Sequence, residues 1–358
     1  MPSLKEIKGR INSISSTLAI TSAMKMVAAA KLQKAQMAIQ NMLPYERRLY
    51  SMLVDLMGAM NISAAASEDG SVRGSGSAER GFDQSGDRLS LSNRHDLAGM
   101  DGAYSLMAQR EVRKVAIVAF ASNSSLCGAF NSNAIREATA VINEYRASGL
   151  GDADITVYSV GRKMAETMKK LGFPSPADFT KMSDSPSYDA ASALAQELLD
   201  GFVSGRFDKV ELVYNHYKST SSQPTTRQTY LPLSLADATA DLQAGKIADS
   251  ASESDTNRGA EPVGAPVVRQ GSPTTEDLIV EPSKEALIAT LLPKVIRLRI
   301  FTTLLDSAAA EHAARTVAMQ LATDNGNDLL QELTLEYNKG RQQKITSEIL
   351  DLVGGSMQ

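Results

Sequence analysis

Stepping from Leu4 by alternating threes and fours, the chain reads Leu4, Ile7, Ile11, Ile14, Leu18, Thr21, Lys25, Ala28, Leu32, Ala35, Ile39, Met42, Glu46, Leu49, Leu53 and Leu56, and thirteen of these sixteen positions are apolar. A seam recurring every 3.5 residues over so many turns makes a helix wind against a partner helix, because only that period keeps one face turned inward along the whole length. At 1.5 Å per residue such a helix is about 80 Å long, longer than a compact domain is wide. It must protrude. Ser3 followed by Glu6 has the spacing of a capping box, and Pro44 is expected to kink the rod. Lys25 puts a charge on the seam, where it lowers stability but fixes register.

The partner helix is expected at the other end of the chain. Pro282 marks a helix start, and the apolar series Leu287, Leu291, Val295, Leu298 leads into Ala308, Ala309, Ala310, Ala313, Ala314, Ala318 and Ala322. Small side chains let two helix axes come close. Asp324-Asn325-Gly326 has the residue types of a break, after which a helix resumes from Leu329 to Val353 and ends on Gly354-Gly355 as a C-terminal cap. In its last turns Ile345, Ile349, Leu350, Leu352 and Val353 point to several faces rather than one stripe, as in a tip seated in apolar surroundings.

Between these helices the period changes. Strand signals at Val112 to Ala121, Asp154 to Val160 and Lys209 to Tyr217 alternate with helical ones at Ser132 to Arg146, Arg162 to Leu171 and Tyr188 to Val203, with one further edge strand at Thr226 to Leu235. Alternation of this kind implies right-handed crossovers and a mainly parallel sheet, a Rossmann-like α/β domain. Two stretches rich in Gly, Ser and Asp carry too few large apolar groups to offset ordering entropy. The expected organisation is an N-terminal coiled-coil helix at 1–60, a flexible insertion at 61–110, the α/β domain at 111–236, a second insertion at 237–277 and a C-terminal coiled-coil helix at 278–358. The fold class is therefore α/β plus a long antiparallel α-helical coiled coil.

Composition removes whole classes of function. With 37 Lys and Arg against 41 Asp and Glu, the net charge of −4 gives no general attraction to nucleic acid. The single cysteine, Cys127, cannot form an internal disulfide, and histidines at 95, 216 and 312 lack the spacing of a zinc site. No apolar run approaches the roughly 18 residues of a membrane span, and the first ten residues resemble neither a secretory signal nor a transit peptide, so a chain kept in a bacterial-type cytoplasm is expected. A dinucleotide-dependent enzyme would need a Gly-rich turn after the first strand, where only Gly128 occurs. The Gly-Ser-Gly of the first insertion matches neither phosphate-binding motif and follows no strand. A thiol enzyme built on Cys127 would need a base, yet no histidine lies between His95 and His216. A free-standing coiled-coil tether would account for the rod alone.

Four segments carry a further signal: SLKEIKGRINSISSTLAITSAMKMVAAAKLQKAQ at 3–36, SLCGAFN at 125–131, AEHAARTVAMQLATDN at 310–325 and ELTLEYNKGRQQKITSEILDLVGG at 332–355. They closely resemble the gamma subunit of bacterial F-type ATP synthases. The resemblance implies a central rotor shaft that couples ion flow through a membrane ring to ATP synthesis or hydrolysis, with catalysis in partner subunits and no cofactor of its own. It implies as partners the alpha and beta subunits, the epsilon subunit and the membrane c-ring, and attachment to the cytoplasmic face of the inner membrane only through that complex. By motif position it implies partner contacts at Met24, Lys25, Cys127, Arg315, Arg341, Gln342 and Thr346, and a bearing tip at Ile349, Leu352 and Val353. The chain departs from the family pattern at Asn123-Ser124-Ser125, which stands for Asp-Arg-Gly and weakens any ionic contact there. It departs again at Gly340, which often is Ala and costs about 1 kcal/mol of helix propensity.

Overall fold

The computed structural model describes residues 3–59, 106–107, 109–233, 281 and 284–355. In chain order these form α1 (Leu4–Ala59), β1 (Val115–Phe120), α2 (Phe130–Ala147), β2 (Ile155–Val160), α3 (Arg162–Lys170), α4 (Thr180–Asp184), α5 (Tyr188–Val203), β3 (Lys209–Asn215), β4 (Thr225–Leu231) and α6 (Lys284–Gly355). The two expected insertions, apart from 106–107 and 109–110, and Pro282 lie outside the described residues.

The sheet has the order β2-β1-β3-β4. β1 pairs in parallel with β2 and β3, while β4 returns antiparallel beside β3, so the sheet is mixed. Every residue of β1 is buried, as a central strand covered on both faces must be. Its pleat divides the core in two. Ala116, Val118 and Phe120 join α5, the end of α1 around Leu53 and the start of α6 around Leu292. Val115, Ile117 and Ala119 join α2 and Met164 and Met168 of α3.

Every one of the sixteen seam positions of α1 is buried or half-buried, Lys25 and Glu46 included. Along the helices the contacts run in opposite directions: Gly340 lies beside Leu4, Gly326 beside Leu18, Thr323 bonds Thr21 and Gln320 bonds Lys25. The Ala-rich stretch meets α1 through Leu32, packed with Ala309 and Ala313.

Three sequence expectations need correction. α6 does not break at Asp324-Asn325-Gly326 but runs continuously to Gly355. A Cβ at Gly326 would stand 2.6 Å from Leu18 Cδ2, so this glycine serves close helix approach rather than a turn. Gly354-Gly355 belong to the helix instead of capping it from outside. The capping box is half formed: Ser3 Oγ accepts from the Glu6 amide at 3.2 Å, but Glu6 turns to Arg10, 2.9 Å away. Pro44, the expected kink site, lies within the continuous helix α1. The short helix α4 went unforeseen.

Gly9 differs from Gly326 and Gly340 in having nothing within 4 Å of a Cβ built on it. Gly9→Ala should therefore stabilise the start of α1 by about 1 kcal/mol through helix propensity alone. Slower amide exchange in the first three turns would register the gain; unchanged exchange would contradict it.

Candidate functional site

The carboxyl ends of parallel strands are where ligands of α/β sheets bind, in the crevice at which strand order reverses. Here that crevice lies between β1 and β3, and α6 fills it. Cys127, in the loop after β1, is only 1% exposed and packs with Phe130 and Ala310. Asn215, which ends β3, donates from Nδ2 to Phe130 O at 3.0 Å. The next two residues grip both terminal helices. His216 Nδ1 lies 2.6 Å from Asp306 Oδ2, the Tyr217 amide donates to Asp306 Oδ1 at 2.9 Å, and Gln36 of α1 donates to the Tyr217 hydroxyl at 2.6 Å. The hydrogen bond to Asp306 raises the His216 pKa above its ordinary value, against the opposing effect of burial. A dinucleotide enzyme would have to empty this crevice of its own helix.

The loop after β1 is tied down from three sides. Asn131, in the first turn of α2, accepts from the Ser122 amide at 2.9 Å and donates to Ser124 O at 3.1 Å. Arg162 of α3 donates through its guanidinium to Asn123 O at 2.6 Å. Arg315 of α6 donates to Ser124 Oγ at 2.6 Å and pairs with Glu311 at 2.7 Å. Burial raises the Glu311 carboxyl above the usual carboxylate range even with Arg315 beside it. Next to it His312 is pushed down to about 4 by burial, then by the charges of Arg315 and Lys31, so it is neutral near pH 7.

The residues singled out by motif fall into three groups. Lys25 reaches across the helix pair, its Nζ donating to Gln320 Oε1 at 2.8 Å, with Met24 half-buried alongside. Arg315 is held within the chain, and the Cys127 thiol faces inward, so the surface of that loop is presented by its neighbours. Arg341, Gln342 and Thr346 are exposed, as is every residue from 341 to 350. Because Gly340 lies beside Leu4 at the start of α1, α6 continues from there as a single helix. That end carries Ile349, Leu352 and Val353 to solvent, Leu352 at 75% exposure.

Sequence reasoning missed His216 and Asp306, whose partnership spans 90 residues of chain and leaves no local signal, and Glu211, which pairs with nearby Lys209 as well as with Arg227 and Tyr145. The Glu311 and Arg315 pair, four apart on a helix, was readable from spacing alone.

These features define a small mixed-sheet domain carried on two very long terminal helices, with its ligand crevice closed by one of them. The chain belongs to the ATP synthase gamma family: the family model described as ATP synthase matches residues 3–357. It is 47% identical over 357 residues to the ATP synthase gamma chain of Phocaeicola vulgatus, with 100% of both chains covered. Identity is 45% over 358 residues to that of Bacteroides thetaiotaomicron, again with full coverage, and 39% over 356 residues to that of Parabacteroides distasonis, with 99% of each covered. Among solved structures, a chain of the Euglena gracilis mitochondrial ATP synthase OSCP/F1/c-ring assembly shares the fold, with a TM-score of 0.52 at 18% identity, covering 99% of this chain and 93% of that one.

Proposed function

We propose that this gamma subunit acts as the rotating shaft of an F-type ATP synthase, itself non-catalytic, with ATP chemistry in the beta subunits. In this reading α1 and α6 form an antiparallel coiled coil inside a hexamer of alpha and beta subunits. The α/β domain of residues 111–236 stands on the membrane c-ring beside the epsilon subunit, and the chain is held peripherally at the cytoplasmic face of the inner membrane. The observation that carries the reading is the end of α6. Residues 341–355 extend about 22 Å beyond the start of α1 as one helix, by the 1.5 Å rise per residue, with apolar side chains on several faces. Water is a poor medium for such a surface, and an apolar bearing is a good one.

Transmission of force follows from the packing. An interlocked seam resists bending and twisting, and the grip of His216 and Tyr217 on Gln36 and Asp306 joins both helices to the sheet. Coupling requires contacts that differ in free energy between angular states, because a contact of equal strength at every angle biases nothing. Arg341, Gln342 and Thr346 are suited to this as exposed polar groups, and Met24 and Lys25 lie further down the same rod.

The chain should co-purify with alpha and beta subunits and raise their ATPase turnover. In vesicles holding the whole complex, the double variant R341A/Q342A should keep ATP hydrolysis while losing most ATP-driven proton pumping. Wild-type pumping by that variant would remove these residues from the coupling step.

A further inference from the structure

Polar contacts tie the α/β domain to α6 at several levels. Tyr230 donates to Ile296 O, Arg297 to Gln196 and Arg315 to Ser124 Oγ, while His216 and Tyr217 together hold Asp306. Of these ties only the last contains a histidine, the side chain whose charge ordinarily changes near neutral pH. The other described histidine, His312, is pushed down to about 4, first by burial, and stays neutral through that range.

Asp306 is bound in two unlike ways. Its Oδ1 accepts from the Tyr217 amide at 2.9 Å, a donor that does not titrate. Its Oδ2 lies 2.6 Å from His216 Nδ1. With the imidazole protonated, this second contact is a charge-assisted hydrogen bond, about twice as strong as a neutral one. With it neutral, the Nδ1–H tautomer keeps only an ordinary hydrogen bond, and the Nε2–H tautomer turns a lone pair toward the carboxylate. Packing does not substitute for the lost charge. Tyr217 rests against Leu32, Ala309 and Ala313, but the His216 side chain is half exposed and lines a cavity of about 590 Å³ between the rod and the sheet. The charged groups lining that cavity with it are Glu46 and Arg47 of α1, Arg299 and Asp306 of α6, and Lys218 in its own loop, and Tyr50, Tyr214 and Tyr217 are the other titratable ones. Asp306 raises the His216 pKa through its hydrogen bond, against burial and the charge of Lys218.

We propose that His216 and Asp306 form a proton-operated clasp between the α/β domain and α6, closed as an ion pair in the protonated state and loosened when the proton leaves. The sign follows from the raised pKa: the clasp contributes fully below the unfolded value of about 6.5 and is lost as pH rises through the higher folded one. The proposal goes beyond the rotor reading and does not depend on it. Within that reading the clasp lies on the path by which the domain drives the shaft, so the stiffness of this joint falls as the surrounding solution becomes alkaline.

The full chain provides the test. An NMR titration should give His216 a higher pKa in the wild type than in Asp306→Asn, where the carboxylate charge is gone. The Tyr217 amide reports the clasp directly, because it donates to the same carboxylate. Its exchange protection, corrected for the intrinsic pH dependence of exchange, should fall about threefold between about pH 5.5 and about pH 8.5, the range of a half-exposed ion pair. His216→Asn keeps a neutral donor in place and should leave that protection level across the same interval. A His216 pKa equal in wild type and Asp306→Asn would overturn the clasp, and so would a Tyr217 amide whose protection follows the same pH course in wild type and His216→Asn.

Discussion

Gly161→Ala is expected to destabilise the chain by at least about 3 kcal/mol, through a steric conflict that cannot relax locally. Gly161 joins β2 to α3 with φ 102, and a Cβ there would stand 2.0 Å from Ala121 O and 2.7 Å from Ala121 C. Both obstacles are backbone atoms. They are fixed by the ladder that the Ala121 amide closes on Val160 O at 2.8 Å, and by Ser122 O, which accepts from Lys163 at 3.2 Å. Moving them means opening β1 from β2 and dragging the 122–128 loop that Arg315 holds. Gly172→Ala makes the comparison, since its φ of 93 carries the same conformational penalty while nothing lies within 4 Å of its Cβ. Urea denaturation of the two variants should differ by the steric part alone, with Gly161→Ala clearly the weaker. Equal midpoints would refute the account.

The seam was legible because it is local and periodic: a 3.5-residue repeat determines which face is inward whatever the partner is, and all its positions from Leu4 to Leu56 are buried or half-buried. The strands were legible for the same reason, their apolar runs being short and bounded by turns. What sequence could not convey were features defined by the partner surface. Gly326 reads as a helix breaker until Leu18 is seen against it. Cys127 reads as a surface contact until Ala310 is seen to cover it. His216 and Asp306 stand 90 residues apart, and neither has a distinctive neighbourhood in the chain. Leu126, with φ 68, belongs to a third kind, since a leucine in sequence gives no hint of a left-handed backbone.

Glu211→Ala should cost about 3 kcal/mol, the lower end of what is lost when one member of a buried ion pair is removed and the other is left behind. Glu211 is 1% exposed on β3, yet it is fully engaged. Lys209 lies 2.6 Å away, Arg227 of β4 approaches through Nε at 2.7 Å and Nη2 at 3.0 Å, and the Tyr145 hydroxyl of α2 donates at 2.6 Å. Arg227 also reaches Glu144 at the surface, which gives the cation an outlet and explains the choice of the lower figure. Burial alone would push the Glu211 carboxyl upward, but the hydrogen bonds from Arg227, Lys209 and Tyr145 together outweigh it and hold the carboxyl below the usual carboxylate range. The sign of the pH dependence follows. A carboxyl depressed in the folded chain contributes stability that is complete above its unfolded pKa and is lost as pH falls through the lower folded value. The stability difference between wild type and Glu211→Gln should accordingly be largest near neutrality and shrink on acidification. Replacing Glu211, Lys209 and Arg227 together by methionine should restore most of the loss, because no charge is then stranded in the interior. A wild-type to Gln difference that stays constant from pH 7 into the acid range would show that shape and hydrogen bonding, not charge, hold β4 against β3.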